Sequence, residues 1–517
     1  MNKLLTSITV VTIVWWGLLL LVSCSSQDHS TEPVPESILV RVADRVITRT
    51  DFITRSEYIP RPPYCRGNSN IHKKIILNSL IAEKLLALVA DSEHPLLNDP
   101  GFQQYLQGRR EQAMRQLLYK REGPQRVELD PTEISEMTRL AGRDYQIMYA
   151  NLPDSSLAGY VSERLELGSA LENIFLETGF IDSLPTRDVT WYEQDDPIIH
   201  QAFYSHPLKK DEIVGPLRVS DGSYLVAQVL GLTTHVAVTE KQKRERWDMV
   251  TKDVTTMRGQ LLFQEFVGIL MRGREFELHP ETFRDYTQFL GRHYLKSNEE
   301  KKEILNLALW DDYTEIPAML DTIPEPMDPQ RPLLTLDGEV WTLGDISGLI
   351  RTHPLIFRKH QIDGIEFTEQ LKFALADLLR DHFLTQEAYR RKLDQTFAIQ
   401  SHEAQWRDHY VALEDRTRIL QERGYSGNFS TGYVTALEEY MNPYIDSLQA
   451  LYSDQIEINT KMLEEIQLTS VDMVVTHQKA PYPTVVPNFP VFTTDSRLDY
   501  GRVMDMSEKK NDSAGSE

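Results

Sequence analysis

The stretch "VADRVITRTDF", Val42 to Phe52, has a counterpart in "LDGEVWTLGDI", Leu336 to Ile346. Placed together they align without a gap. Leu39 falls on Leu333, Val46 on Val340, Thr48 on Thr342 and Asp51 on Asp345. Each stretch reads as a strand and tight turn running into a helix. Thr and Asp three residues apart at that junction form the spacing of a capping box. The hydroxyl accepts the backbone N–H three residues on, and the acid complements the positive end of the helix dipole. Catalytic use would require a base or a metal ligand nearby, and neither stretch supplies one. Thr48, Asp51, Thr342 and Asp345 are therefore read as structural caps.

The repetition extends further. "LNSLIAEKLLALVAD" (residues 77–91) matches "LADLLRDHFLTQEAY" (375–389) after a short length change, with Leu80 on Leu378 and Leu86 on Leu384. "REFELHPETF" (274–283) pairs with "DQIEINTKML" (454–463), each following a helix. One element set is thus present twice in the same order. The apolar stripe Ile75, Ile76, Leu80, Leu85, Leu86 and Val89 predicts an amphipathic helix over 71–91. Only the first copy contains a stretch of different texture, 144–231. There the order is β-α-α-β-α-β-β, a compact α+β unit of about ninety residues. The second copy carries helices in its place, over 395–455. The four Pro of 318–332 mark a linker.

The 517 residues exceed what one core accommodates, so two or more domains are expected. A net charge of −22 with no long basic block argues against nucleic acid as a partner. No phosphate loop, "GxGxxG", "HExxH" or paired "CxxC" occurs, so no cofactor and no metal is expected. His402 and His409, seven apart on a predicted helix, read as surface residues. Cys65 in "PRPPYCRG" is either a reactive thiol or an inert buried one. The run "EKQKRER", Glu240 to Arg246, reads as a solvated helix face.

Lys3, an apolar run from Ile8 to Val22 and the box "LVSC" ending at Cys24 resemble a bacterial lipoprotein signal. That resemblance implies lipidation of Cys24 and attachment to a membrane; the alternative is an uncleaved anchor. The repeated modules resemble the N-terminal chaperone module of the SurA, PpiC and PrsA foldases, which opens "V-x-G-x-x-I-T-x-x-D/E-F" and continues "L-I-x-x-K/R-L-L-x-x-x-A". Residues 144–231 resemble a parvulin domain, which such proteins insert before a closing helix and strand. The match has gaps. The family's first strand "H-I-L-V" and last strand "G-x-H-I-I-K-V" correspond to "YQIMYANL" and "GSYLVAQV", which contain no His. "G-G-D-L-G-W-F" corresponds to "RDVTWY", which keeps Trp191 and Tyr192 but lacks the glycines. Asp188 lies there in an uncertain register with the family's polar catalytic position.

The expected fold is therefore mainly α with an α+β insert: two SurA-N-like helical modules and one parvulin-like domain. The expected boundaries are a signal peptide at 1–23, a tether at 24–37, and module 1 at 38–140 with 233–285. The parvulin-like domain follows at 141–232, a helix and linker at 286–332, module 2 at 333–468, and an extended, disordered tail at 469–517. Isomerisation of an X–Pro bond needs a pocket that holds the ring and desolvates the amide. Met148, Tyr149, Trp191, Tyr192, Phe203 and Tyr224 are the candidates to line it, or else they form the domain's core. What the resemblance implies is a lipid-anchored envelope chaperone at the outer membrane, facing the periplasm. Its partners would be unfolded exported or outer-membrane polypeptides, and its parvulin domain would be degenerate. The alternatives are an active prolyl isomerase and a structural subunit of an envelope complex.

Overall fold

Ile38–Val42 (β1) and Arg45–Thr48 (β2) form a hairpin that turns through Ala43, whose φ of 52° is left-handed. This computed structural model describes residues 37–90, 94–178, 184–192, 196–219, 222–295, 328–359, 362, 364–469 and 481–504. Cys24 and all but the last residue of the tether expected at 24–37 lie outside them. Among the described residues no helix is long and apolar enough to cross a membrane. The chain is mostly helical with a small sheet component.

After the hairpin come Arg49–Glu57 (α1), Asn70–Val89 (α2) and Pro100–Glu122 (α3). The α+β stretch holds Pro131–Leu140 (α4), Arg143–Leu152 (β3), Ser155–Glu166 (α5), Leu171–Thr178 (α6) and Thr186–Val189 (β4). It continues with Pro197–Tyr204 (α7), Ile213–Arg218 (β5), Tyr224–Thr234 (β6) and Glu240–Leu270 (α8). Phe276–Leu278 (β7) and Pro280–Tyr294 (α9) follow, then the second hairpin, Pro332–Leu336 (β8) and Glu339–Thr342 (β9). Leu343–Thr352 (α10), Phe367–Arg390 (α11), Phe397–Glu422 (α12), Phe429–Ala436 (α13) and Asn442–Leu451 (α14) are helical. Ile456–Ile458 (β10), Thr460–Glu465 (α15) and Arg502–Val503 (β11) complete the order.

Both repeated stretches start their helices with complete capping boxes. Thr48 Oγ1 accepts the Asp51 N–H, and Asp51 Oδ2 accepts the Thr48 N–H at 2.9 Å. Thr342 and Asp345 do the same, the return bond being 2.8 Å. The first box has a further partner, because the Gln405 side chain donates to Asp51 Oδ1.

The hairpins are also extended alike, but each by the strand that follows the other. β1 pairs antiparallel with β10, whereas β7 pairs antiparallel with β8. The flanking bonds correspond one to one. Ala43 donates to Gln455 O and Asn459 to Leu39 O; Asp337 donates to Glu275 O and His279 to Leu333 O, all at 2.9 Å. The sequence reading grouped 233–285 with 38–140, yet strand β7 of that range belongs to the sheet β7-β8-β9. The two copies are interleaved by an exchange of closing strands.

The chain divides into two compact units, Met1–Leu118 with Leu270–Glu517, and Tyr119–Ile269. The first holds two cores. One joins α2, the hairpin and α3 to α12, α14 and β10. The other joins α9, β8, α10 and α11. The stretch 481–504 is extended, as its Pro content predicts, but it belongs to the first core: Phe489, Val491 and Phe492 are buried. Its carbonyls are satisfied by buried side chains, Asn488 O by Arg55, Val491 O by Arg416 and Thr493 O by Ser79. Residues 505–517, the end of the tail expected to be disordered, lie outside the described residues.

The second unit runs wider than the ninety residues expected. It is built on the sheet β4-β3-β6-β5, in the expected β-α-α-β-α-β-β order. Ile134 of α4 and Val250 and Val254 of α8 bury against one face, which draws those helices into the unit.

His409 is not a surface residue: α12 packs on α2 and carries it inside, while His402 is half-buried and accepts the Trp406 indole N–H at 3.1 Å. Glu83 accepts two bonds from Arg55, at 2.8 and 3.1 Å, and a third contact from His409 Nδ1 at 2.9 Å. The next residues along, Lys84 and Asp408, pair at 2.9 Å. Burial opposes ionisation of Glu83, but Arg55 and His409 outweigh it and hold the carboxyl well below its ordinary range. Burial lowers the imidazole of His409, and it takes that of His402 down to about 4. Such a network adds little net stability when intact, but loss of one partner strands a buried charge. Glu83→Gln is expected to lower the unfolding free energy by about 3–5 kcal/mol, against about 0.5–2 kcal/mol for Thr342→Ala at the cap. Urea unfolding of the two variants checks both values.

Candidate functional site

The sheet of the second unit buries both faces, and alternation along β3 decides which residue reaches which. Tyr145 and Ile147 enter the core under α4, α7 and α8. Ala150 and Leu152 enter a second core under α5 and α6. The six candidate pocket residues divide accordingly. Trp191 and Phe203 are buried in the first core, and Tyr149 packs against its edge. Met148 and Tyr224 pack against the second. Tyr192 is 66% exposed and joins neither. The six do not converge on one pocket. Asp188 faces solvent on β4, opposite Gln146.

A cleft of about 130 Å³ does open beside Trp191. α4 contributes Met137, α7 contributes His200 and Tyr204, and α8 contributes Met257, Arg258 and Leu261. The Trp191 indole is fixed by its N–H, which donates to Asp253 Oδ2 at 2.8 Å. His200 meets the indole edge-on at 4.3 Å between ring centroids and lies 4.9 Å from the Tyr204 ring. The Tyr204 hydroxyl bonds to the carbonyls of Arg143 and Val189, tying α7 to two strands. Arg258 is paired with Glu133 at the rim. No thiol or aliphatic hydroxyl lines the cleft, and the two carboxylates beside it are engaged, Glu133 by the Arg258 guanidinium and Asp253 by the Trp191 indole N–H. What remains is a Met- and aromatic-lined surface suited to apolar side chains. Sequence reading placed a helix over the His200 stretch without assigning His200 a part. Its i, i+4 spacing to Tyr204 was the available signal.

A larger cavity, about 350 Å³, lies in the first unit between α3, α10 and α11. Gly108 lets α3 approach closely there, since a Cβ on it would lie 2.4 Å from Thr352 O. Behind the His353, Arg115 and Thr385 wall lies a charged cluster centred on Asp381, which does not itself line the cavity. Asp381 takes His353 Nε2 at 2.8 Å, the Tyr482 hydroxyl at 2.8 Å and Arg380 at 2.7 Å. Arg115 donates to Thr385 Oγ1 at 2.7 Å, and that hydroxyl donates in turn to Asp381 O at 2.8 Å. The arrangement has a His–Asp pair, but the two hydroxyls bonded within it, Thr385 and Tyr482, are both already committed as donors. It reads as a polar tie between helices. Cys65 is fully buried in the neighbouring apolar core. Among the described residues no cluster of His, Cys, Asp and Glu could hold a metal.

No protein-family model matches the chain, and no curated protein matches it either.

Burial would raise the Asp381 carboxyl, but His353 and Arg380 together with Arg115 hold it at about 2, below its ordinary 3.8. A folded value below the unfolded one means the contribution is complete above pH 3.8 and is lost as pH falls through about 2. Asp381→Asn should remove about 2 kcal/mol at pH 7 and flatten the dependence below pH 4, as read by chemical unfolding across that range.

Proposed function

We propose that the chain is an envelope lipoprotein chaperone that binds unfolded exported or outer-membrane polypeptides. In this reading its parvulin-like insert is a binding domain without isomerase activity. The observation that carries the second half is the division of the pocket candidates between two faces of one sheet. Trp191 and Phe203 lie under one set of helices, and Met148 and Tyr224 under another. A proline ring cannot be enclosed by residues that a strand separates. Catalysis of X–Pro rotation also needs a desolvated, preorganised site for the twisted amide, and the open cleft beside Trp191 offers chiefly apolar contact.

Binding is supported by that same cleft. Met137, Met257 and Leu261 are adaptable, and Leu261 is 38% exposed. Leu232, Val236 and Val238 follow one another, exposed, along the stretch leading from β6 into α8. Exposed apolar groups spread over a folded chain fit weak, repeated contacts with an extended client. The lipid anchor at Cys24 and the outer-membrane location belong to the same proposal, on the strength of the signal-like N-terminus.

Two assays check the reading. The mature protein should suppress aggregation of an unfolded porin, and Leu261→Asp should weaken that suppression several-fold while circular dichroism is unchanged. In a protease-coupled prolyl peptide assay the rate should equal the uncatalysed control. A clear rate enhancement would assign the chain to the isomerases. Absent suppression, with one fixed partner co-purifying, would assign it a structural role.

A further inference from the structure

The two sheets built by the repeated hairpins differ at one edge. In the first, closing strand β10 is covered on its far side by β11, which runs parallel to it with Arg502 opposite Glu457 and Val503 opposite Ile458. In the second, closing strand β7 is terminal, and among the described residues nothing pairs with its far side. The strands correspond residue by residue: Ile456, Glu457 and Ile458 against Phe276, Glu277 and Leu278.

The bonding pattern shows which groups the open edge presents. Gln455 O and Asn459 N–H point toward β1, and Glu275 O and His279 N–H point toward β8. Alternation then turns the N–H and C=O of residues 456 and 458, and of 276 and 278, outward. On the covered strand this is seen directly, where Met504 N–H donates to Ile458 O at 3.0 Å. Burial follows the same division. Ile456 is fully buried, whereas Phe276 is 44% exposed.

We infer that the outer edge of β7 binds an extended polypeptide segment as a parallel fourth strand, supplied by an unfolded client. The inference rests on the client-binding function proposed above and names one place where it acts. The covered sheet supplies the chemistry of the occupant. Arg502 sits opposite an acid, so a basic residue is favoured opposite Glu277, next to the acid Glu275. Val503 sits opposite an aliphatic, so a β-branched residue is favoured opposite Leu278. Gly501 passes so close to Ile456 that a Cβ would lie 2.9 Å from its Cγ2, so a small residue is favoured ahead of the basic one. The preferred segment is small–basic–aliphatic. The chain's own stretch 296–327, between α9 and β8, contains no such run. Backbone bonds would give such addition its affinity, and the side-chain pairs its selectivity.

The probe is a labelled peptide with the sequence of residues 499–504, "DYGRVM", titrated into the whole chain by fluorescence anisotropy. Leu278→Pro removes one outward N–H and leaves the β8 ladder intact, as edge positions allow. It should weaken binding about tenfold. Glu277→Arg tests the site without a proline: it should weaken binding of this peptide and strengthen binding of one with Glu in place of the Arg. Binding that neither substitution changes, or no binding at millimolar peptide, overturns the inference. So does a dimer of the whole chain that Leu278→Pro dissociates without any peptide binding, which would assign the edge to a second molecule. The two levels separate cleanly. Porin protection that survives Leu278→Pro, with no peptide bound, removes the edge site and keeps the chaperone. Peptide binding at the edge by a chain that protects no porin removes the chaperone and keeps the site.

Discussion

The ladder between β1 and β10 is the constraint on which the remaining architecture depends. It pairs Val40 with Ile458 and Val42 with Ile456, joining the start of the described chain to a segment more than four hundred residues away. Once β10 is taken by the first hairpin, β7 must serve the second, because a buried hairpin edge cannot leave its N–H and C=O groups without partners. The exchange then fixes the helices. α12 arrives beside α2 along with β10, and it brings Asp408 and His409 against Lys84 and Glu83. Lys84 and Asp408 are opposite charges where the two helices meet, and His409 adds a hydrogen bond to Glu83, so each buried group finds a partner. Gln405, from the same helix, reaches the cap of the first hairpin at Asp51. Sheet, helix pair and cap are thus one cooperative assembly that neither copy completes alone.

The features legible in the sequence are those set by local chemistry. Thr48 and Asp51, or Thr342 and Asp345, need only each other and a helix start, so their spacing was sufficient. The β-α-α-β-α-β-β order was readable for the same reason. The choice of strand partner was not. Phe276-Glu277-Leu278 and Ile456-Glu457-Ile458 have one polarity pattern, so the strand sequence alone does not name its hairpin. The burial of His409 was illegible in a helix as charged as "HEAQWRDHYVALEDR", because its partner Glu83 lies more than three hundred residues away. The division of the pocket candidates was partly within reach. Met148 and Tyr149 are neighbours on a strand, and alternation places neighbours on opposite faces. Grouping them by side-chain type disregarded that period.

Interleaving has a consequence for how such a chain can act. A module that completes its own sheet can open and close about a hinge. Here, separating the two copies would require breaking the β1–β10 and β7–β8 ladders and withdrawing His409 from Glu83. The buried charges make partial opening costly, since a carboxylate held this far below its ordinary range loses its stabilisation as soon as either partner withdraws. Large-scale opening is therefore a poor mechanism for engaging a client. No nucleotide-binding loop is present in the sequence to drive it either.

For the client binding proposed above, the periphery would supply the contacts: the apolar cleft at Trp191, the exposed aliphatics after β6 and the strand edge at β7. Each is small. A single backbone strand or one methionine-lined cleft holds a flexible segment weakly, because ordering that segment offsets most of the contact energy. Several such contacts along one client raise the effective affinity without any of them being strong. A client that folds withdraws its own strand edges and apolar side chains into its core, which removes the groups these sites recognise. On that proposal release would follow from the client's folding, with no change of state in the binding chain, and the exchanged strands and the small peripheral sites would be two requirements of one mode of action.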